Sequence, residues 1–137
     1  MIVLDASVVI AYTKPGDAHY EASRAVFRGH SGLLVIHETT AAECLTLPAR
    51  FGRALTAFHH LTGVVAEGDL GVRVLSNLGT PTAPWPVQVA QARADTGLKL
   101  PDAVVLATAL AIDGKVATFD ARLAEVARER GVLYSEA

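Results

Sequence analysis

The stretch Leu100-Pro-Asp-Ala-Val-Val-Leu-Ala-Thr-Ala-Leu-Ala-Ile-Asp-Gly-Lys-Val-Ala-Thr-Phe-Asp120 decides how the rest of the chain is read. A carboxylate, Asp102, opens an almost wholly apolar helix that starts at Pro101. The chain turns at Asp113-Gly114, runs a short strand over Val116–Phe119 and stops on a second carboxylate, Asp120. A helix that is apolar on all faces has to be buried. Burial sets Asp102 beside the core, where an acid is kept only with partners. What those partners are is the central question.

The same unit, a short apolar strand next to a helix, recurs on both sides of this stretch. Ile2-Val3-Leu4 reads as a buried strand. Asp5 ends it and stands as N-cap for an apolar helix over Ala6–Tyr12. Lys14-Pro15-Gly16-Asp17 is a turn. A helix over Ala18–Arg28, closed by Gly29, leads through Ser31-Gly32 to a second strand, Leu33–Ile36. Thr40–Leu47 reads as a helix stopped near Pro48. Ala49–Leu61 is an amphipathic helix with Phe51, Leu55, Phe58 and Leu61 on one side. Val64–Ala66 reads as a weak third strand and Asp69–Leu78 as a helix capped by Asp69. Gly79–Pro86 holds three prolines and Trp85 and reads as a loop. Val87–Thr96 is helical to Gly97, Ala121–Arg130 is a charged helix, and Val132–Tyr134 is a last strand. Strands alternating with helices imply an α/β protein, a three-layer α/β/α sandwich around a mainly parallel sheet. A chain of 137 residues without a linker or repeat is expected to form one domain over residues 1–137.

Composition narrows the function classes. The net charge of −2 gives no global basic signature for nucleic acid, so any such contact has to be local. Met-Ile-Val-Leu-Asp has no basic segment ahead of its apolar run and does not read as a signal peptide. The longest apolar run, Ala103–Ile112, falls far short of the ~20 residues that span a bilayer. A single cysteine, Cys44, fits a reducing cytoplasm and reads as a small buried residue.

The acids carry the chemistry. In a parallel sheet, ligands bind beyond the carboxyl ends of the strands. Asp5 and Asp120 each follow a strand at once, and Glu43 lies a turn into the helix after the second strand. Asp102 begins a helix, so spacing places it less directly. Each acid also has a structural reading. Asp5 and Asp120 suit N-caps, Thr40-Ala-Ala-Glu43 is a capping-box pattern, and Asp102 follows Pro101 in a first turn that favours negative charge. Taken together, converging carboxylates repel one another and raise their own pKa values unless a cation sits among them. Oxygen-only donors point to Mg²⁺ or Mn²⁺. No zinc-type cluster competes, since His59-His60 are adjacent and His19, His30 and His37 are scattered. Such a cation suits phosphate chemistry, because it polarises a phosphoryl oxygen and activates an attacking water. Thr118 and Ser7 each lie two residues from an acid and suit orienting hydroxyls, although Ser7 reads more simply as satisfying local backbone.

Four segments in order resemble the PIN domain: Ile-Val-Leu-Asp5-Ala-Ser7, Ala42-Glu43-Cys-Leu, Leu-Pro-Asp102-Ala-Val-Val-Leu-Ala-Thr-Ala and Val-Ala-Thr118-Phe-Asp120. Order, spacing and length look like the VapC-type toxins of bacterial and archaeal toxin–antitoxin pairs. The resemblance implies a Mg²⁺- or Mn²⁺-dependent endoribonuclease acting on structured RNA. Asp5, Glu43, Asp102 and Asp120 would be its acidic, metal-holding pocket and Thr118 the accompanying hydroxyl. It also implies a homodimer and a VapB-type antitoxin whose C-terminal segment blocks the site. Leu123 departs from the aromatic residue the family often has there, and the Pro-rich loop around Trp85 matches no family motif. Candidate phosphate-binding cations are Arg50, Arg53, Arg93 and Lys99. The rivals are a PIN-domain RNA-processing nuclease without a toxin role and a phosphatase that forms an aspartyl-phosphate on Asp5. Ser7 stands where such phosphatases carry a second acid.

Overall fold

A computed structural model describes residues 1–29 and 32–135. His30, and Ser31 ahead of the second strand, lie outside the described residues. Among those described, four strands and seven helices follow one another. They are β1 (Ile2–Leu4), α1 (Ala6–Tyr12), α2 (Tyr20–Gly29), β2 (Leu34–His37), α3 (Glu38–Arg50) and α4 (Ala54–Thr62), then β3 (Arg73–Leu75), α5 (Trp85–Thr96), α6 (Leu100–Ile112), β4 (Lys115–Ala117) and α7 (Ala121–Glu129). The strands form one sheet in the order β3-β2-β1-β4. Every pairing is parallel, with Val3 opposite Val35 and Val116.

Strand side chains alternate between faces, and two cores follow from that. Val3, Val35 and Val116 face one way and pack with Val89 and Ala92 of α5, most of α6, and Leu123 and Val126 of α7. Ile2, Leu4, Leu34, Ile36 and Ala117 face the other way, onto Val8 and Val9 of α1, Val26 of α2, Ala41 of α3 and Leu61 of α4. The α/β/α layering expected from sequence is therefore present. Helix α6 is buried continuously from Ala103 to Ala109, as an all-apolar helix must be.

Sheet order sets the location of any site. The chain leaves β1 toward β2 and β3 and later returns to β4 on the other side of β1. The order thus reverses between β1 and β4, and a crevice opens beyond their carboxyl ends. Asp5 and Thr118 are the residues that emerge there.

Several boundaries differ from the sequence reading. The helix expected over Thr40–Leu47 starts at Glu38, with His37 as N-cap, its Nδ1 accepting from the Thr39 N–H at 3.1 Å. It also runs through Pro48 to Arg50, because a proline three residues from a helix end forfeits little of the ladder. The expected Ala49–Leu61 helix is broken at Gly52, whose φ of +68° suits glycine, and restarts at Ala54. Val64–Ala66 is not a strand: Val65 is 95% exposed, and Asp69 holds the segment as a turn by accepting from the Val65 and Ala66 amides. Nor is Asp69–Leu78 a helix, since it contains β3. Trp85 and Pro86 open α5 rather than closing a loop, proline being suited to a first helical turn. Of the strand expected at Val132–Tyr134, only a bridge between Leu133 and Val116 forms.

Gly79 packs where no side chain fits. A Cβ there would collide with the Trp85 backbone nitrogen and lie 3.1 Å from the Pro84 carbonyl carbon. Gly79→Ala is expected to lower the melting temperature by several degrees, corresponding to roughly 1–3 kcal/mol of overpacking. An unchanged melt would mean that the start of α5 moves aside freely.

Candidate active site

The crevice between β1 and β4 is closed by a chain of hydrogen bonds centred on Asp5. This residue is only 7% exposed. It occupies the N-cap position of α1, but its carboxylate caps nothing. Its Oδ2 accepts instead from the Ser7 hydroxyl at 2.7 Å and from the Thr118 hydroxyl at 2.7 Å. Ser7 Oγ in turn accepts from the Phe119 N–H at 3.1 Å, and Thr118 Oγ1 from the Asp120 N–H at 3.0 Å. Each hydroxyl donates to the acid while accepting from backbone, which leaves it one orientation. The start of α1 is thereby tied to the exit of β4. Ser7, read from sequence as a local backbone partner, is half of this clamp. Its amide donor lies 112 positions away in sequence, so only the β1–β4 pairing brings the two together.

The other acids converge electrostatically. Burial pushes the Asp102 carboxyl up from its ordinary 3.8 to about 6; repulsion by Asp5 and Asp120 adds to this and Lys99 opposes it. Burial likewise raises Glu43, with Asp5 and Asp102 contributing. Asp102 occupies the first turn of α6, where the helix dipole favours its charge, and even so burial, with the neighbouring carboxylates, prevails. Neither Glu43 nor Asp102 has a hydrogen bond or ion pair among the described residues. The capping box expected between Thr40 and Glu43 does not form, because α3 begins two residues earlier and Thr40 is already inside it. Asp120 does act as the cap expected of it, accepting from the Leu123 N–H at 2.8 Å.

The four acids are therefore coupled electrostatically, and Lys99 opposes the effect at Asp102 without cancelling it. Among the described residues, no group of three or more histidine, cysteine, aspartate or glutamate side chains stands close enough together to hold a metal ion as placed. Cys44, on the turn beside Glu43, is held as a thiol, its pKa pushed to about 12 chiefly by burial.

The candidate cations are spread around the acids. Lys99 is the N-cap residue of α6 and acts on Asp102. Arg53 lines a groove that also contains Glu43. Arg93 lines a second groove with Trp85 and Leu100. Arg50 is exposed at the end of α3, and no interaction ties it to the acids. Two polar atoms that sequence reading passed over are buried without partners, His37 Nε2 and Thr40 Oγ1.

A parallel α/β sheet with an acidic crevice at its switch point, closed by a hydroxyl clamp, defines the class of fold and site. A PIN domain family model matches residues 2–129, and the chain belongs to the PIN domain family. Among solved structures, VapC20 of Mycobacterium tuberculosis, a sarcin–ricin loop cleaving toxin, superposes with a TM-score of 0.66 at 18% identity, covering 92% of this chain and 95% of that one. That likeness is one of fold. No curated protein matches the chain by sequence. No helix among the described residues is long and apolar enough to cross a membrane.

Proposed function

We propose that the chain is a metal-dependent endoribonuclease of the VapC toxin type. The observation that carries this reading is the crevice in which burial, and then repulsion among Asp5, Glu43, Asp102 and Asp120, raises Glu43 and Asp102 while Lys99 offsets only part of the effect at Asp102. Their oxygen-only donor set fits Mg²⁺ or Mn²⁺, and these four residues would hold it. When bound, such a cation supplies Lewis acidity toward a phosphoryl oxygen and toward the attacking water. The chain's own residues do the positioning. Ser7 and Thr118 fix the Asp5 carboxylate. Glu43 and Asp102, whose carboxylates have no hydrogen bond among the described residues, would supply further oxygen donors to the cation. Lys99, Arg53, Arg93 and Arg50 are assigned to the RNA phosphates on either side.

Expression of the chain alone should arrest growth, and Asp5→Ala or Asp102→Ala should relieve the arrest. The purified protein should cut RNA with Mg²⁺ or Mn²⁺ and stop when a chelator is added. Arrest that persists in both variants would place the chemistry elsewhere. Cleavage without arrest would favour an RNA-processing nuclease.

A VapB-type antitoxin belongs to the same reading. Between α1, α3 and α4 runs an apolar cleft of about 630 Å³ whose lining includes Val9, Leu47 and Phe51 and also Glu43. Phe51 is 72% exposed and the nearby Leu55 68% exposed, an apolar area of the kind that marks a docking surface. An apolar antitoxin segment lying there would end against the acids. Phe51→Asp should leave RNA cleavage within about twofold of wild type yet weaken antitoxin binding at least tenfold in calorimetry, since charge on the anchor of an apolar contact removes its burial. Full binding by that variant would move the docking site. We assign the outer face of α5 and α6, where Val87 and Leu110 are exposed, to a second copy in a homodimer, and a cytoplasmic location belongs to the same reading.

A further inference from the structure

Trp85 is the only tryptophan in the chain, and nothing in the acid site uses it. One side of its indole is occupied by the His37 ring, stacked at 5.0 Å between centroids and 18° between planes. His37 is 4% exposed, bonded through Nδ1 and without a partner at Nε2. Its Nδ1 accepts the Thr39 N–H, so in the neutral ring the proton sits on Nε2, and burial favours that neutral form. A neutral imidazole gives the indole a flat, fixed backing.

Trp85 also borders a cleft that His37 does not line. This cleft has a volume of about 330 Å³ and is bounded by Thr39, Pro86, Val89, Arg93 and Leu100. Its size is at the small end of ligand-sized clefts, about 300–1,000 Å³. Two of its walls lead straight to the acids. Thr39 is one helical turn before Glu43 on α3, and Leu100 is two residues before Asp102 on α6. Arg93 is exposed at the cleft, and its terminal guanidinium nitrogens have no partner among the described residues; only Nε is engaged, donating to the Leu98 carbonyl at 3.4 Å. Lys99, exposed and next in sequence to Leu100, acts on Asp102.

We propose that Trp85, backed by His37, is a stacking platform for an unpaired nucleobase of the RNA, next to the phosphate held at the acids, with Arg93 on the adjoining phosphate. This rests on the ribonuclease reading. A π-face beside cations that follow a backbone is the arrangement by which single-stranded nucleic acid is bound, and one stacked base contributes roughly tenfold or more in affinity. The subsite would select targets that can present an unstacked base near the cut, such as a loop, over continuous duplex.

A single tryptophan makes the test direct. Wild-type protein with Mg²⁺ is mixed in a stopped-flow instrument with a short single-stranded RNA carrying a fluorescein label. Tryptophan emission and label anisotropy are followed before turnover. Emission should fall in step with the anisotropy rise. Trp85→Leu should raise KM roughly tenfold, with much the smaller change in kcat, and Trp85→Phe should recover most of the loss. An anisotropy rise without any change in emission, or a wild-type KM for Trp85→Leu, overturns the platform and leaves the ribonuclease reading standing. If RNA neither binds nor is cut, the ribonuclease reading fails and the platform falls with it. Should Trp85→Leu prove unfolded by circular dichroism, the wild-type emission signal and Trp85→Phe still decide.

Discussion

Asp102→Asn is expected to lose RNA cleavage by about a thousandfold or more while raising the melting temperature of the metal-free protein at neutral pH. The two effects have one cause. Asp102 titrates at about 6 in the fold against an ordinary 3.8, chiefly through burial and then through Asp5 and Asp120. A carboxyl with a raised native pKa disfavours the fold only when charged. Below pH ~3.8 it is protonated in both states and the penalty is absent. Between pH ~4 and ~6 the native state binds more protons than the unfolded one, so stability falls as pH rises, and above ~6 the full penalty remains. After allowance for solvent screening this amounts to about 1 kcal/mol, or roughly 3 °C in a chain of this size. The neutral amide removes the penalty and also removes a charged donor from the cation site, where a ligand lost means most of the electrostatic stabilisation of the transition state lost. Thermal scans in chelator from pH 4 to 8 should show the variant gaining on the wild type as pH rises. Added Mn²⁺ should stabilise the wild type far more than the variant. A variant that melts lower at every pH would show Asp102 to be a structural acid.

The parts of this molecule that were legible in the sequence share one physical feature: a burial demand that a single pattern meets. Ile2–Leu4 and Ala103–Ala109 are apolar on every side, and only the centre of a covered sheet or a buried helix accepts them. The segment from Val64 to Leu78 misleads through its spacing. Leu70, Val74 and Leu78 form a helical stripe, yet the regular part of the segment is only Arg73–Leu75, and it is a strand. Gly68 and Gly71, at φ of +86° and +63°, interrupt any helix there, and edge strand β3 has the Ile36 and Val35 ladder waiting beside it. Val64 and Val65 are apolar yet exposed, so apolarity alone does not make a strand.

The site was legible unevenly for a similar reason. Asp5 follows β1 directly, a relation that the parallel sheet converts into contact with Thr118 at the exit of β4, whereas β4 ends at Ala117 and Asp120 stands three residues beyond it as the cap of α7. Glu43 was given a local partner, the Thr40 amide, because a histidine N-cap lies outside the usual cap residues and hid the true start of α3. With His37 as cap, Glu43 loses that partner and joins the acids. The roles of Ser7 and Trp85 rest on contacts made across the fold, to Phe119 and His37, and no local spacing encodes them.

Ser7→Ala and Thr118→Val are each expected to lower kcat by roughly 10–100-fold, and the double variant to lose much less than the product of the two. The argument starts from Asp5 Oδ2, a nearly buried carboxylate oxygen that accepts both hydroxyls at 2.7 Å. Hydrogen bonds to a charged group contribute about 1.5–3 kcal/mol each, and here both act on the same rotation of one carboxylate. That rotation is fixed only while both hydroxyls are present; with either one lost, the acid turns and the cation geometry is largely gone. The first deletion therefore removes most of what the pair supplies, and it also orphans a backbone donor, the Phe119 amide for Ser7 and the Asp120 amide for Thr118. The Asp120 amide sits on the residue that caps α7, so Thr118→Val should disturb two acids and cost more than Ser7→Ala. Thr118→Ser keeps the hydroxyl and should recover most of the activity. A double-mutant cycle on kcat, with melting temperatures measured alongside, checks this. Strict additivity, or Thr118→Ser as slow as Thr118→Val, would mean that the hydroxyls act separately, one on the attacking water and one on the acid, rather than as a single clamp.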